Sequence, residues 1–296
     1  MTSNFDTFDR NAQKGGDFVP RLAMINDIAG FGRCSTTVSL PVISVMKVQV
    51  CPVPTSVLSN HLGFPLCHFD DYTSHMRDYI KVWNELGLTF DGLYCGFLGN
   101  EEQIDIVREF VEMFRPPLFL LDPVMGDHGR TYSSITETHV QKMKELLPLA
   151  DIITPNTTEA AILLDRDPAS APQNETEAQE WLHALHSRYG AQVVLTGLDY
   201  EPGKVGSGCL SADGGTISLH ERIAQYYPGT GDLFAAVVLG ALLNGRALAD
   251  ACALAGEFVK DCIAYTAAQH TDPMHGVQFE KLLPRLFSCH ENRTEV

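Results

Sequence analysis

Pro117-Leu118-Phe119-Leu120-Leu121 is wholly apolar and runs directly into Asp122-Pro123-Val124-Met125-Gly126. Five consecutive apolar residues leave no wet face, and they are too few for a helix. Such a run suits a strand covered on both sides, as in the interior of a parallel sheet. Residues 21–25, 91–98, 151–153 and 192–195 share this character. The second ends among Gly96 and Gly99, the third meets Thr154-Pro155-Asn156, and the fourth meets Thr196-Gly197. Helical periods separate the runs. Asn100-Glu101-Glu102-Gln103 is a capping box that opens a helix to about Phe114. Residues 176–189 place Ala178, Trp181, Leu182, Leu185 and Tyr189 on one face. Leu248, Cys252, Ala255, Val259, Cys262 and Thr266 repeat at helical spacing, a stripe that suits core packing. Alternation of strand and helix predicts an α/β doubly wound layer fold. Residues 204–210 and 216–220, joined by a Gly-containing turn, predict a β-hairpin. The Pro/Ala-rich residues 167–173 read as a surface loop, and no linker or repeat interrupts the chain. One domain is expected over residues 21–296, after a loose polar extension at residues 1–20.

The 296 residues are 45% hydrophobic and 20% charged, which excludes a wholly disordered or fibrous chain. A net charge of −16 argues against a nucleic-acid partner and against an anionic membrane surface. It leaves room for an anionic ligand, because helix N-termini and a divalent cation create local positive sites. No segment approaches the ~18 uninterrupted apolar residues of a membrane span. Asp6, Asp9 and Asp17 exclude a signal peptide at residues 1–20, so a cytoplasmic protein is expected. The eight cysteines form no C-x-x-C pair and read as free thiols in a reducing compartment. His183 and His186 lie three apart with no partner to complete a metal set, so they read as a solvated helix face.

In open parallel sheets, ligands bind beyond the carboxyl ends of the strands. The sharpest segment is Tyr227-Pro228-Gly229-Thr230-Gly231-Asp232. Gly229 and Gly231 permit backbone angles closed to other residues, and the following helix start offers unpaired amides. Asp232 at the mouth of this nest can take a proton from a hydroxyl nucleophile while the amides neutralise a transferring phosphoryl group. A Gly-rich turn with Asp as N-cap is the structural alternative. Asp122, kept extended by Pro123, would emerge at the ligand edge and suits water-mediated Mg²⁺ binding. Asn156 and Glu159 form a capping box; the functional reading has Glu159 facing Mg²⁺ and Asn156 near phosphate. Asn26-Asp27, then Gly30 and Gly32, suit a small polar substrate, and Thr55-Ser56 with Ser59-Asn60-His61 gather hydroxyl, amide and imidazole groups. No P-loop, nucleophile elbow or G-x-G-x-x-G fingerprint is present.

Taken in order, these motifs resemble the ribokinase-like superfamily and, within it, the pyridoxal (pyridoxamine) kinases, over residues 21–287. Gly229-Thr230-Gly231-Asp232 carries the superfamily resemblance; Ser59-Asn60-His61 and Asp122-Pro123-Val124-Met125-Gly126 point towards vitamin B6 kinases. The resemblance implies a three-layer α/β/α fold with a central, mostly parallel sheet. It implies ATP-dependent phosphorylation of the 5′-hydroxymethyl group of a B6 vitamer. Asp232 would then be the catalytic base and Gly229, Thr230 and Gly231 the anion hole. Asp122, Thr154, Asn156, Glu159 and Thr196 would line the nucleotide phosphates and Mg²⁺. Asp27, Thr55 and Ser56 match positions around the pyridine ring. Residues 127–131 match a mobile flap, and family members are commonly homodimers. Many pyridoxal kinases carry serine at the position of Asp27, and lysine after the strand that here ends in Thr196-Gly197; a bound K⁺ or Mg²⁺ is the substitute for that lysine. Two other readings remain open at this level. One is a hydroxymethylpyrimidine or sugar kinase, although pyrimidine kinases usually carry cysteine where Asp232 stands. The other is a non-catalytic protein that binds B6 or nucleotide.

Overall fold

Each apolar run becomes a strand because helices cover it from both sides. The computed structural model describes residues 18–287 except Asp213 and Ala224. Most of the polar extension, residues 1–17, and the end of the chain, including Cys289, therefore lie outside the described residues. The strands are β1 (Arg21–Ala29), β2 (Gln49–Leu58), β3 (Phe69–Asp71), β4 (Gly92–Cys95), β5 (Phe119–Leu121), β6 (Gly126–Asp127), β7 (Arg130–Thr131), β8 (Ile152–Ile153), β9 (Gln192–Leu198), β10 (Lys204–Ser211) and β11 (Gly214–Glu221). The helices are α1 (Thr36–Val45), α2 (Thr73–Glu85), α3 (Glu101–Phe114), α4 (Glu137–Leu146), α5 (Thr157–Leu163), α6 (Glu175–Tyr189), α7 (Thr230–Leu243), α8 (Leu248–Ala268) and α9 (Pro284–Phe287). One sheet has the order β11-β10-β9-β8-β5-β4-β1-β2-β3. From β9 to β2 every pairing is parallel; β3, β10 and β11 add antiparallel edges.

Side chains alternate between two cores, one on each face of the sheet. Ala23, Ile25, Phe119, Leu121, Val193 and Leu195 pack beneath α2 to α6. Leu22, Met24, Leu118, Leu120 and Val194 pack on the other face against α1, α7 and α8. This is the expected three-layer α/β/α arrangement, and it is why these strands lack polar alternation. Helix α7 is buried from Leu233 to Leu243, because the sheet, α1 and α8 enclose it.

Helix α6 buries the five residues expected from its spacing, starts on the Asn174 side chain and stops at Gly190, whose φ is 78°. The hairpin forms as β10 and β11, and β10 also pairs with β9, so it extends the main sheet. The box at Asn100 forms by half. The Asn100 side chain caps the amides of Glu102 and Gln103, but Gln103 turns away and donates to Thr55 O and Thr73 Oγ1, each at 2.8 Å. Gln103 thereby ties α3 to β2 and α2.

Candidate active site

The site forms where the carboxyl ends of the parallel strands meet the start of α7. Gly229 takes φ 79°, and a Cβ there would fall 2.0 Å from Arg33 O, so the turn accepts only glycine. Leu233 N donates to Gly229 O at 3.0 Å. The amides of Thr230, Gly231 and Asp232 precede that first intrahelical bond and are the donors of the helix start. Gly231 differs from expectation: it lies within α7 and does not adopt positive φ. A Cβ on Gly231 would meet nothing within 4 Å, so what it leaves is open space above the amides.

Asp232 Oδ2 accepts a hydrogen bond from Ser35 N at 2.8 Å. Burial raises its pKa, and the Ser35 amide and the Asn26 side chain oppose the shift. Asn26 Nδ2 points towards Asp232 short of full hydrogen-bond geometry. Its Oδ1 is held by Asp27 N and Phe97 N, each at 3.0 Å. Gly96 makes room for this amide, since a Cβ there would lie 2.7 Å from it. The sequence points to Asn26 only as a polar neighbour of Asp27 facing a substrate, and does not point to Ser35. The signal for Ser35 is faint: a serine just before α1, with φ 56°.

Two further carboxyls crowd Asp232. Burial pushes Asp27 up to about 7; the Ser35 side chain opposes this and the charge of Asp232 adds to it. Burial and then Asp232 push Asp122, at the end of β5, up to about 8. Glu159 is 3% exposed, and burial, then Asp122, lift its pKa well above the usual carboxylate range. Glu159 completes the capping box: its Oε2 accepts from Asn156 N at 2.9 Å, and Asn156 Oδ1 accepts from Glu159 N at 3.0 Å. Its Oε1 accepts from Met125 N at 3.1 Å, and Asn156 Nδ2 donates to Gly126 O at 2.9 Å, so the start of α5 is stitched to the loop after β5. Thr196 lies alongside Asn156 in a parallel bridge, and Thr154 Oγ1 is buried without a partner. Residues 127–131 fold as the β6–β7 hairpin, anchored by Gly129 N on Thr158 Oγ1 at 2.8 Å and bracketed by Tyr226 against His128.

On β2, Ser56 Oγ is fully buried and unpartnered, whereas Thr55 Oγ1 is spent on Phe97 O at 3.0 Å. The trio Ser59-Asn60-His61 builds a loop. Gly63 N donates to His61 Nδ1 at 3.1 Å, so Nε2 carries the proton and donates to Met274 O at 2.9 Å. This pins residues 59–64 to residues 273–276. Ser59 Oγ donates to Asn60 Oδ1 at 2.6 Å, and Asn60 Nδ2 holds Leu66 O at 2.8 Å.

Among the described residues, no Lys, Arg or His forms an ion pair with Asp27, Asp122, Glu159 or Asp232. Nor, among those residues, do three His, Cys, Asp or Glu side chains converge as a metal cage. Hard oxygens with no fixed cation and no cage fit Mg²⁺, which keeps several waters and takes its remaining oxygens from phosphates. A buried carboxylate set lacking a fixed cation is therefore suited to a ligand that brings its own.

A profile of the phosphomethylpyrimidine kinase family matches residues 86–277. The chain belongs to this kinase family. The kinase is similar in structure to a phosphomethylpyrimidine kinase homologue from Bacteroides thetaiotaomicron crystallised with pyridoxal: TM-score 0.86, 37% identity, with 91% of this chain and 96% of that one covered. It is also similar to pyridoxal kinase from Lactobacillus plantarum, with TM-score 0.86 and 29% identity, covering 94% of this chain and all of that one. In sequence it is 28% identical to a Schizosaccharomyces pombe protein described as a pyridoxal kinase, over 64% of this chain and 58% of that protein's length. No described helix of the kinase is long and apolar enough to cross a membrane.

The crowded carboxyls give the kinase a pH signature. In the folded state Asp27 and Asp122 hold protons up to about 7 and about 8. Unfolded, they release them near ~3.9. Between these limits the folded state binds more protons, so stability falls as pH rises. Without Mg²⁺ or nucleotide, Asp122→Asn is expected to raise the melting temperature at pH 8 and to flatten its decline between pH 6 and 8, while lowering turnover. A melting-temperature series for both proteins checks this; parallel slopes would remove Asp122 from the titrating set.

Proposed function

We propose that the protein is an ATP-dependent kinase that phosphorylates the 5′-hydroxymethyl group of pyridoxal, pyridoxine or pyridoxamine. The observation that carries this reading is the juxtaposition at α7. Amides freed by the Gly229 turn sit beside a carboxylate that Ser35 N holds at 2.8 Å. The pyridoxal bound to the Bacteroides homologue supports the acceptor. Thr230, Gly231 and Asp232 amides hold the migrating phosphoryl group, and the Asp232 carboxylate takes the proton from the acceptor hydroxyl. The Ser35 amide orients that carboxylate and opposes the rise in its pKa that burial causes. Asp122 and Glu159 would hold Mg²⁺, through water at Glu159, which already accepts two amides, and the bound metal would supply positive charge against the phosphates. Thr154, Asn156 and Thr196 line the phosphates, and the β6–β7 hairpin excludes water by closing over them. Asp27 and Ser56 face the pyridine ring, with Thr55 holding the ring pocket's floor through Phe97. A K⁺ bound near Thr196-Gly197 would supply the positive charge that lysine brings in many pyridoxal kinases.

The catalytic domain is proposed to occupy the chain from residue 21 onwards, in a reducing cytoplasm that suits the seven free cysteines described. A homodimer is proposed across the β2–β3 edge, where Val57, Leu62, Leu66 and Phe69 are exposed beside a strand of three residues; sedimentation as a monomer would remove it. The test of function is a panel of acceptors at saturating Mg-ATP, read as ADP release. B6 vitamers are expected to be turned over with kcat/KM at least ~10-fold above hydroxymethylpyrimidine and sugars, roughly 1.4 kcal/mol of transition-state preference. A preference for pyrimidine or sugar would overturn the acceptor. Binding of a B6 vitamer with no ADP formed would overturn the kinase.

A further inference from the structure

A second cluster of reactive groups lies outside this site, where α8 crosses β10. A cleft of about 230 Å³ is lined by Ser207, Cys209, Thr216, Ser218, Asp250 and Cys252. Cys209 comes from β10 and Cys252 from α8, which pack on each other, and the two thiols meet at the same cleft, close enough to influence each other but short of full hydrogen-bond geometry. Cys209 Sγ also lies 3.0 Å from Thr216 Oγ1. Both cysteines are buried, at 3% and 7% exposure, yet both border the cleft. We propose that Cys209 and Cys252 are a redox-reactive dithiol that a peroxide closes to a disulfide joining β10 to α8.

The two sulfurs are suited to unequal roles. The neighbouring Cys252 pulls Cys209 down to about 6 against the effect of burial, with Thr216 helping, while Cys209 and burial hold Cys252 well above the usual thiol range. Cys209 is thus the nucleophile and Cys252 the proton-bearing partner. The other shifts resolved for described thiols run upward, at Cys34, Cys51, Cys95 and Cys262, so their thiolates are scarce. In the first step the Cys209 thiolate attacks one peroxide oxygen. The S–O bond forms, the O–O bond breaks, and the departing hydroxide takes up the proton Cys209 had released, giving water and a sulfenic acid. In the second step the Cys252 sulfur attacks the sulfenic sulfur. The S–S bond forms, the S–O bond breaks, and the leaving oxygen departs as a second water with the Cys252 proton. Two thiols are oxidised and one hydrogen peroxide is reduced to two waters. The cleft of about 230 Å³ exceeds the ~30 Å³ that a water-sized molecule occupies, so it has room for a peroxide beside the two cysteines.

The full chain, reduced and then exposed to stoichiometric hydrogen peroxide, is alkylated with iodoacetamide under denaturing conditions and mapped by peptide mass spectrometry. The expected result is a Cys209–Cys252 cross-linked peptide, a loss of two hydrogen masses, restoration by dithiothreitol, and the other cysteines alkylated. In Cys252→Ser, dimedone is expected to trap a sulfenic acid on Cys209. Full alkylation of Cys209 and Cys252 after peroxide, or a cross-link between other cysteines in their place, would overturn the proposal. The kinase assay is no part of this readout, so failure here leaves the phosphoryl-transfer reading untouched, and the converse also holds.

Discussion

Asp232→Asn is expected to lower kcat for B6-vitamer phosphorylation by ~100-fold or more, the scale of general-base assistance, with ATP affinity changed by less than about threefold. The substitution is nearly isosteric. Ser35 N, which donates to Asp232 Oδ2 at 2.8 Å, finds the same acceptor in an Asn oxygen, and the freed amides of α7 are untouched. The phosphoryl site is therefore kept and only proton acceptance is lost. Its signature is a fall in kcat with little change in KM, the mark of an interaction made in the transition state. Burial raises the pKa of Asp232, which strengthens it as a base while the Ser35 amide limits protonation. Loss of its charge also relieves Asp27 and Asp122, both of which it pushes upward, so the variant is expected to melt no lower than the parent. Steady-state kinetics and nucleotide titration check the two halves separately. Turnover near that of the parent would remove Asp232 from the mechanism.

The fold was legible where burial on two faces left a plain pattern. The segment ending in Leu121 and those at 151–153 and 192–195 appear as β5, β8 and β9, and the stripe of α6 appears residue for residue. Strand β2 was not legible because Pro52 and Pro54 interrupt it. The structure explains their tolerance. They lie two apart, so both missing N–H groups face the same way, and β3 pairs only with Ser56 to Leu58 further along. On that stretch the outer side of β2 has no strand to receive a bond. Helix α1 was hidden by Pro41 in the same manner. The candidate site divides likewise. Asp122 follows directly after a strand, Asn156 and Gly229 precede helices and Glu159 lies in the first turn of one, and spacing alone finds such positions. Asn26 and Ser35 reach Asp232 from more than 190 positions away, through the folding of β1 and α1; the sequence marks Asn26 only as a polar residue near glycines and gives no sign that it serves Asp232, and no local pattern marks Ser35. Ser59-Asn60-His61 is legible as a family mark but not in its local role: Ser59 and Asn60 brace their own loop, and His61 ties that loop to Met274 O.

Gly229→Ala is expected to cut kcat/KM by ~100-fold, comparable with loss of an oxyanion-hole donor, and to lower the melting temperature. The two effects share one cause. A side chain at φ 79° carries a strain of roughly 1–2 kcal/mol, and here the added Cβ would also sit 2.0 Å from Arg33 O and 3.3 Å from the Cα of Cys34. Backbone cannot yield as a flexible side chain can, so either the 33–35 segment or the start of α7 must move. Either movement separates Ser35 N from the Asp232 carboxylate and re-aims the amides of Thr230 and Gly231. The informative control is Gly231→Ala, two residues along. That position lies inside α7, where a Cβ meets nothing within 4 Å, so the fold and melting temperature are expected to hold. If Gly231→Ala nevertheless weakens nucleotide use, the open space over the amides is where the phosphoryl group approaches. If Gly229→Ala melts lower but keeps full turnover, the turn serves only to start the helix, and the anion-holding role of this segment fails with it.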